Sequence, residues 1–247
     1  MAGFLRRLLG RERPAEIRCC AVVAAAGRST RMEGGDKILL PLGEQPVLVH
    51  TLRALDMCPY IREIIVVTRP DLIVPVGQLC KDCAFSKVTK VIVGGDTRLQ
   101  SVLAGVREVG PDATLIAVHD GARPLVSQRV LEEVILRAEQ CGAAAPAVPV
   151  KDTIKRASGG VVAATLDRSE LFAVQTPQVF EPSLIKTALI KAQEAGVEVT
   201  DDCSAVERLG IGVALTRGEY RNLKITTPAD MAIGEALLEE PEDEVTL

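Results

Sequence analysis

Short apolar runs alternate with stretches whose apolar residues recur at helical spacing. The run from Cys19 stops abruptly at Ala25, Ala26 and Gly27 and reads as a buried strand. Pro46 opens a helical pattern through His50 and Leu55, and Glu63 to Thr68 (EIIVVT) reads as a second strand. Pro70 to Lys81 reads as a crossover, Lys87 to Val93 as a strand ending in Gly94-Gly95-Asp96, and Thr97 to Glu108 as a helix. Thr114 to His119 reads as a strand followed by the turn Asp120-Gly121-Ala122-Arg123-Pro124. From Ser127 to Gln140, Val130, Leu131, Val134, Ile135 and Ala138 fall on one helical face behind a serine suited to the N-cap. Gly142 to Val150 returns to an apolar strand. Continuous apolar strands alternating with helices predict an α/β fold: a mainly parallel sheet with helices on both faces.

Lys151 to Gln175 breaks the alternation. Thr153 to Arg156 and Val161 to Thr165 flank Ser158-Gly159-Gly160, a hairpin signature, so a β-arm is expected at about 151–175. An isolated two-stranded arm is marginally stable, and a second copy of the chain is the expected partner; folding back onto its own domain is the alternative. Helices are expected over Pro182 to Ala195, from Thr200 as N-cap through Glu207, and up to Leu238 behind Thr226-Thr227-Pro228. Gly212 to Thr216 and Asn222 to Ile225 read as strands, with Lys224 at the end of the latter.

Length then limits the organisation. The 247 residues suit one large domain, here 18–240, between a flexible basic leader (1–17) and an acidic tail (241–247). A net charge of -4 and a pI of about 5.4 argue against nonspecific nucleic-acid or membrane binding. Aromatic residues at 2% leave little for base-stacking platforms. Seven cysteines, an odd number without a preceding signal core, point to the cytoplasm. Cys80 and Cys83 form a C-x-x-C without a second pair, so two ordinary thiols are expected rather than a metal site. No apolar run reaches membrane-spanning length.

Ligands of such sheets bind beyond the carboxyl ends of the strands. Three polar turns fall at such ends: Gly27 to Lys37, Gly94 to Ser101, and Asp120 to Arg123. The first joins small residues, which let backbone amides approach a ligand, to Arg28, Arg31 and Lys37, a pattern suited to a polyphosphate. It is not a P-loop, and the dinucleotide fingerprint would need glycines where Ser29 and Met32 stand. An ordinary turn with solvated arginines is the plain alternative.

AAAGRSTRM with Lys37, GGDTRLQSV, HDGARP, VKDT, LDR, TPQ, TDDCSAVE and NLKITTPAD, in this order and spacing, resemble the 2-C-methyl-D-erythritol 4-phosphate cytidylyltransferase family over Arg18 to Leu238. The resemblance implies a Rossmann-like nucleotidyltransferase fold and a homodimer whose arm reaches into the partner. It implies nucleotide contacts at Ala25, Ala26, Gly27, Gly95, Asp96 and Ser101. Arg31, Lys37 and Lys224 would be the catalytic cations. Asp120 and Thr200 would face the acceptor, with Thr153, Arg168 and Thr176 from the partner's arm. Arg123 would brace the acceptor or simply pair with Asp120. Ser29, where many relatives have glycine, and Gly34-Gly35-Asp36 depart from the commoner loop without removing a charge.

The implied reaction is attack by an acceptor phosphate on the α-phosphorus of CTP. A phosphate monoester is already largely dianionic near neutrality, with a second pKa of about 6, so no general base is required. Mg²⁺ would bridge the phosphates, with Asp120 as a direct or water-mediated ligand or merely a cap of its turn. His119 reads as structural, and Asp201 and Asp202 as first-turn helix acids. Ribitol 5-phosphate cytidylyltransferase is the nearest enzyme rival, a CTP sensor the nonenzymatic one, and an oxidoreductase the third class.

Overall fold

The computed structural model describes residues 16–27 and 36–239. In chain order it forms β1 (Cys19–Ala24), a small hairpin of β2 (Pro41–Leu42) and β3 (Gln45–Pro46), α1 (Val47–Met57) and β4 (Ile61–Thr68). Next come α2 (Ile73–Asp82), β5 (Val88–Val93), α3 (Arg98–Arg107), β6 (Leu115–Asp120), α4 (Gln128–Cys141) and β7 (Ala143–Pro149). The remainder supplies β8 (Lys155–Ser158), β9 (Val161–Thr165), β10 (Phe172–Val174), β11 (Gln178–Phe180), α5 (Pro182–Glu194), α6 (Asp202–Glu207), β12 (Ala214–Arg217) and α7 (Pro228–Glu239).

The main sheet runs β5-β4-β1-β6-β11-β7, with β10 and β12 also paired to β7. β5, β4, β1 and β6 are mutually parallel, as is β12 with β7. β11 is antiparallel to both β6 and β7, and β10 is antiparallel to β7. The sheet is therefore mostly parallel and mixed. Alternate side chains of each strand serve opposite cores, as the pleat requires. Cys19, Ala21 and Val23 pack with α1, α2 and α4, whereas Val22 packs with α3, α5 and α6.

Local signals account for the helix ends. Ser127 accepts a hydrogen bond from the Val130 amide, and Thr97 forms a capping box with Gln100. Gly142 ends α4 at φ 83°, a left-handed conformation open to glycine. In the arm, Gly159 and Gly160 at φ 58° and 78° make the two-residue turn between β8 and β9.

The structure departs from the sequence expectations in three places. The N-cap of α6 is Asp201 rather than Thr200, because its carboxylate accepts from the Ser204 amide at 2.9 Å and the serine reciprocates. Asn222 to Ile225 is not a strand: side chains hold it instead, with Asn222 donating to the Thr176 carbonyl at 2.9 Å, and the Ile225 amide bonds the Ala122 carbonyl at 2.8 Å. β10, inside the stretch expected as the arm, instead runs antiparallel to β7, and β11, to which no element had been assigned, runs antiparallel to β6 and β7. The leader through residue 15, Arg28, Arg31 and the tail from residue 240 lie outside the described residues.

Candidate active site

The described parts of the three polar turns meet at one end of the sheet. β1 lies between β4 and β6, with Ala24 opposite both Val67 and Asp120. Beyond it the Ala25 amide donates to the Val67 carbonyl at 2.8 Å and the Gly121 amide to the Ala24 carbonyl at 3.0 Å. The Gly94 amide reaches the Thr68 carbonyl at 2.8 Å, and Thr68 Oγ1 donates to the Ala25 carbonyl at 3.3 Å. A Cβ on Gly94 would stand 2.6 Å from Ser101 Oγ and 3.1 Å from Ala26 Cβ, so glycine lets the two turns touch. A Cβ on Gly27 would meet nothing within 4 Å, which leaves open space beside its backbone.

Gly95, Asp96 and Ser101 form one unit. The Ser101 hydroxyl accepts from the Gly95 amide at 3.1 Å and lies 3.0 Å from the Thr97 carbonyl, while the Asp96 amide donates to Gln100 Oε1 at 2.8 Å. Buried Ser101 holds this loop while Asp96 faces solvent.

On the other side of β1, buried Asp120 gathers three cations. Lys224 Nζ is 3.1 Å and Arg123 Nε 3.3 Å from its Oδ2, and Arg98 Nη2 is 3.7 Å from its Oδ1. Burial alone would raise the Asp120 pKa, but Lys224, Arg98 and Arg123 outweigh it and hold the carboxyl well below the usual carboxylate range. Arg123 also donates to the Asn222 carbonyl at 2.6 Å, which ties the Lys224 segment to this turn. Arg123 thus does pair with Asp120.

Thr176, expected on an arm that reaches the partner, instead lies buried beneath the Asp120 turn of its own chain, between β10 and β11. Its hydroxyl accepts from the Asp120 amide at 3.1 Å and donates to His119 Nδ1 at 2.9 Å. Burial pushes the His119 pKa down to about 4, so the ring is neutral, with Nε2 facing the Arg123 carbonyl at 3.4 Å. His119 is structural, as its strand-end position suggested.

Two arginines escaped sequence reasoning. Arg98 pairs with Asp202 at 2.7 Å and thereby joins the first turn of α3 to that of α6. Burial raises the Asp202 pKa against the pull of Arg98. Arg69 donates to the Gly27 carbonyl at 3.2 Å, pairs with Asp36, and forks onto Asp71 at 3.1 and 3.0 Å. Lys37, part-buried, follows Asp36 directly in a tight turn.

Thr200 is exposed just before α6. Thr153 and Arg168 stand exposed on the arm, where Arg168 donates to the Lys151 carbonyl at 2.9 Å; within one chain they make no described bond to Asp120 or Lys224. Cys80 and Cys83 are free thiols at the end of α2, with Cys80 pushed up to about 11 by burial. Among the described residues no group of three or more His, Cys, Asp or Glu could hold a metal ion. With both its oxygens already facing cations, Asp120 could offer a magnesium ion at most one contact, so such an ion would have to be carried mainly by substrate phosphates. No helix among the described residues is long and apolar enough to cross a membrane.

The family model described as 2-C-methyl-D-erythritol 4-phosphate cytidylyltransferase matches residues 19–240. A relative of that name from Desulforamulus reducens is 46% identical over 222 residues, covering 88% of this chain and 94% of its own. Another from Caldanaerobacter subterraneus is 44% identical over 225 residues, covering 88% and 97%. Among solved structures, 2-C-methyl-D-erythritol 4-phosphate cytidylyltransferase from Thermus thermophilus aligns with TM-score 0.74 at 32% identity over 90% of this chain and 98% of its own. The 4-diphosphocytidyl-2C-methyl-D-erythritol synthase from Anaerococcus prevotii aligns with TM-score 0.80 at 28% identity, covering 91% and 97%.

Proposed function

This chain belongs to the 2-C-methyl-D-erythritol 4-phosphate cytidylyltransferase family, and we propose that it carries out the family's reaction on the sheet rim formed by Ala25–Gly27, Gly94–Ser101 and Asp120. The enzyme transfers CMP from CTP to 2-C-methyl-D-erythritol 4-phosphate in isoprenoid precursor synthesis. A new bond forms between an acceptor phosphate oxygen and the α-phosphorus, and the bond to the leaving pyrophosphate breaks.

The acceptor arrives already charged, so the protein's task is alignment and charge stabilisation rather than proton removal. Neutral His119, engaged on both nitrogens, agrees with a site without a general base. Lys37 and Arg31 hold the triphosphate, and Lys224 faces the developing charge at the transferred phosphorus. Ala25, Ala26 and Gly27 run along the nucleotide, and Gly95 and Asp96, on the loop held by Ser101, read the cytosine edge. Asp120, Arg123 and Thr200 line the acceptor side, and Thr176 braces the Asp120 turn from beneath. Magnesium bound by the phosphates would neutralise charge that these cations leave uncovered, with Asp120 as its one protein contact. The observation that carries this reading is Lys224 meeting Asp120 where β6 ends beside β1.

The arm completes the site of a second copy in a homodimer, bringing its Thr153 and Arg168 to the acceptor. Support comes from its surface: Val161 and Val162 are 70% and 58% exposed on a two-stranded hairpin too small to be stable alone. Seven free thiols suit the reducing cytoplasm. The test is pyrophosphate release from CTP and Mg²⁺ with methylerythritol phosphate and ribitol 5-phosphate offered in parallel. Preference for the methylerythritol ester is expected; preference for ribitol phosphate would overturn the substrate assignment.

A further inference from the structure

One side chain fixes the two shoulders of the phosphate turn relative to each other. Arg69 directly follows β4, in the extended conformation imposed on a residue before proline (φ -79°, ψ 158°), and its side chain turns across the rim. Its Nη1 donates to the Gly27 carbonyl at 3.2 Å and to Asp36, while Nε and Nη2 grip Asp71. Gly27 ends the small-residue run beyond β1. Asp36 begins the turn that carries Lys37, accepting the Ile38 amide on its side chain at 3.3 Å and the Leu39 amide on its carbonyl at 2.9 Å.

We infer that Arg69 is a positioning residue for nucleotide binding, setting the Gly27 backbone and the Lys37 turn at a fixed separation before CTP arrives. The inference rests on the proposed nucleotide site. A solvent-exposed ion pair would contribute little. This one differs in burial and reach, with side chains only 21% and 8% exposed on Arg69 and Asp36, and it ties together segments 42 and 33 positions away in the chain. Only a guanidinium can fork onto Asp71 and still offer a nitrogen to both shoulders. Because Arg69 is spent on the protein, it acts on the phosphates through Gly27 and Lys37.

The test compares Arg69→Gln, Arg69→Lys, Asp36→Asn and the Arg69→Gln/Asp36→Asn double variant in the pyrophosphate-release assay, with thermal melting alongside. Arg69→Gln and Asp36→Asn should each raise KM for CTP about tenfold while KM for methylerythritol phosphate stays within about twofold, since small misplacements are costly only for the ligand they touch. The double variant should be no worse than the poorer single one, because both break the same clip, and Arg69→Lys should rescue only part of the loss. Unchanged KM for CTP, equal rises in both KM values, or additive losses would overturn the inference. Lys37→Met serves as control. If it leaves CTP use intact, the nucleotide-site reading itself fails and the inference with it; if it impairs CTP use while Arg69→Gln does not, only the role of Arg69 falls.

Discussion

Lys224 Nζ lies 3.1 Å from Asp120 Oδ2, bringing a residue near the C-terminal end of the domain to one from its middle, at the carboxyl end of β6. Lys224 is 39% exposed whereas Asp120 is buried, so the ammonium bridges the protein interior and the open rim. It is anchored at one side and open to solvent at the other.

Asp120→Asn would leave three cations facing one another without their shared counter-charge. The expected loss is about 3 kcal/mol of stability together with a large drop in kcat. Because the folded-state pKa of Asp120 is depressed, its contribution is complete above about pH 4 and is lost as pH falls through the folded value. Urea unfolding from pH 5 to 2 should therefore fall less steeply in the variant; parallel curves would contradict the ion cluster.

His119 governs a separate window. It is buried as the neutral base with a pKa of about 4, against about 6.5 when unfolded, so the unfolded chain takes up the proton first. Its contribution is full above pH 6.5 and is lost as pH falls towards 4, amounting to about 3 kcal/mol. His119→Asn, which can still accept from Thr176, should flatten the stability profile between pH 7 and 4. An unchanged slope would show that folding does not shift the His119 titration.

Gly94→Ala tests the close approach of the two nucleotide-side turns. Its methyl group would meet Ser101 Oγ at 2.6 Å and Ala26 Cβ at 3.1 Å, and neither neighbour is the end of a long flexible side chain. A melting decrease equivalent to about 1–3 kcal/mol is expected, with a raised KM for CTP and little change in KM for the acceptor. A variant with normal melting and normal CTP use would disprove the contact.

Val162→Asp places a charge on the exposed face of the arm. The proposed homodimer should dissociate by sedimentation velocity, with activity lost in proportion because each site would lack the partner's Thr153 and Arg168. A fully active monomer would refute the shared site.

The rim was legible in the sequence because each contributing strand ends in small or polar residues, a local signal. Asp120 and Lys224 were read as strand-end residues and given roles only through motif resemblance, and the structure brings them together. β10 and β11 were not legible: three residues each, separated by Gln175, Thr176 and Pro177, they acquire strand character from the ladder that β6 and β7 offer. Arg98 lay in plain view within GGDTRLQSV, yet its partner Asp202 is 104 positions away and no local pattern announces a pairing of that range. Arg69 was hidden likewise, since an arginine before Pro70 reads as the start of a crossover. Asn222 to Ile225 misled because its apolar and polar residues alternate, although side-chain hydrogen bonds rather than a ladder hold it in place.

The central claim, that cations on this rim drive an already charged acceptor onto CTP, is tested most directly by Lys224→Met in the pyrophosphate-release assay with methylerythritol phosphate and Mg²⁺. CTP should still bind, while kcat falls on the order of 100-fold, equivalent to about 3 kcal/mol of lost transition-state stabilisation. Turnover equal to that of the unaltered enzyme would contradict the account.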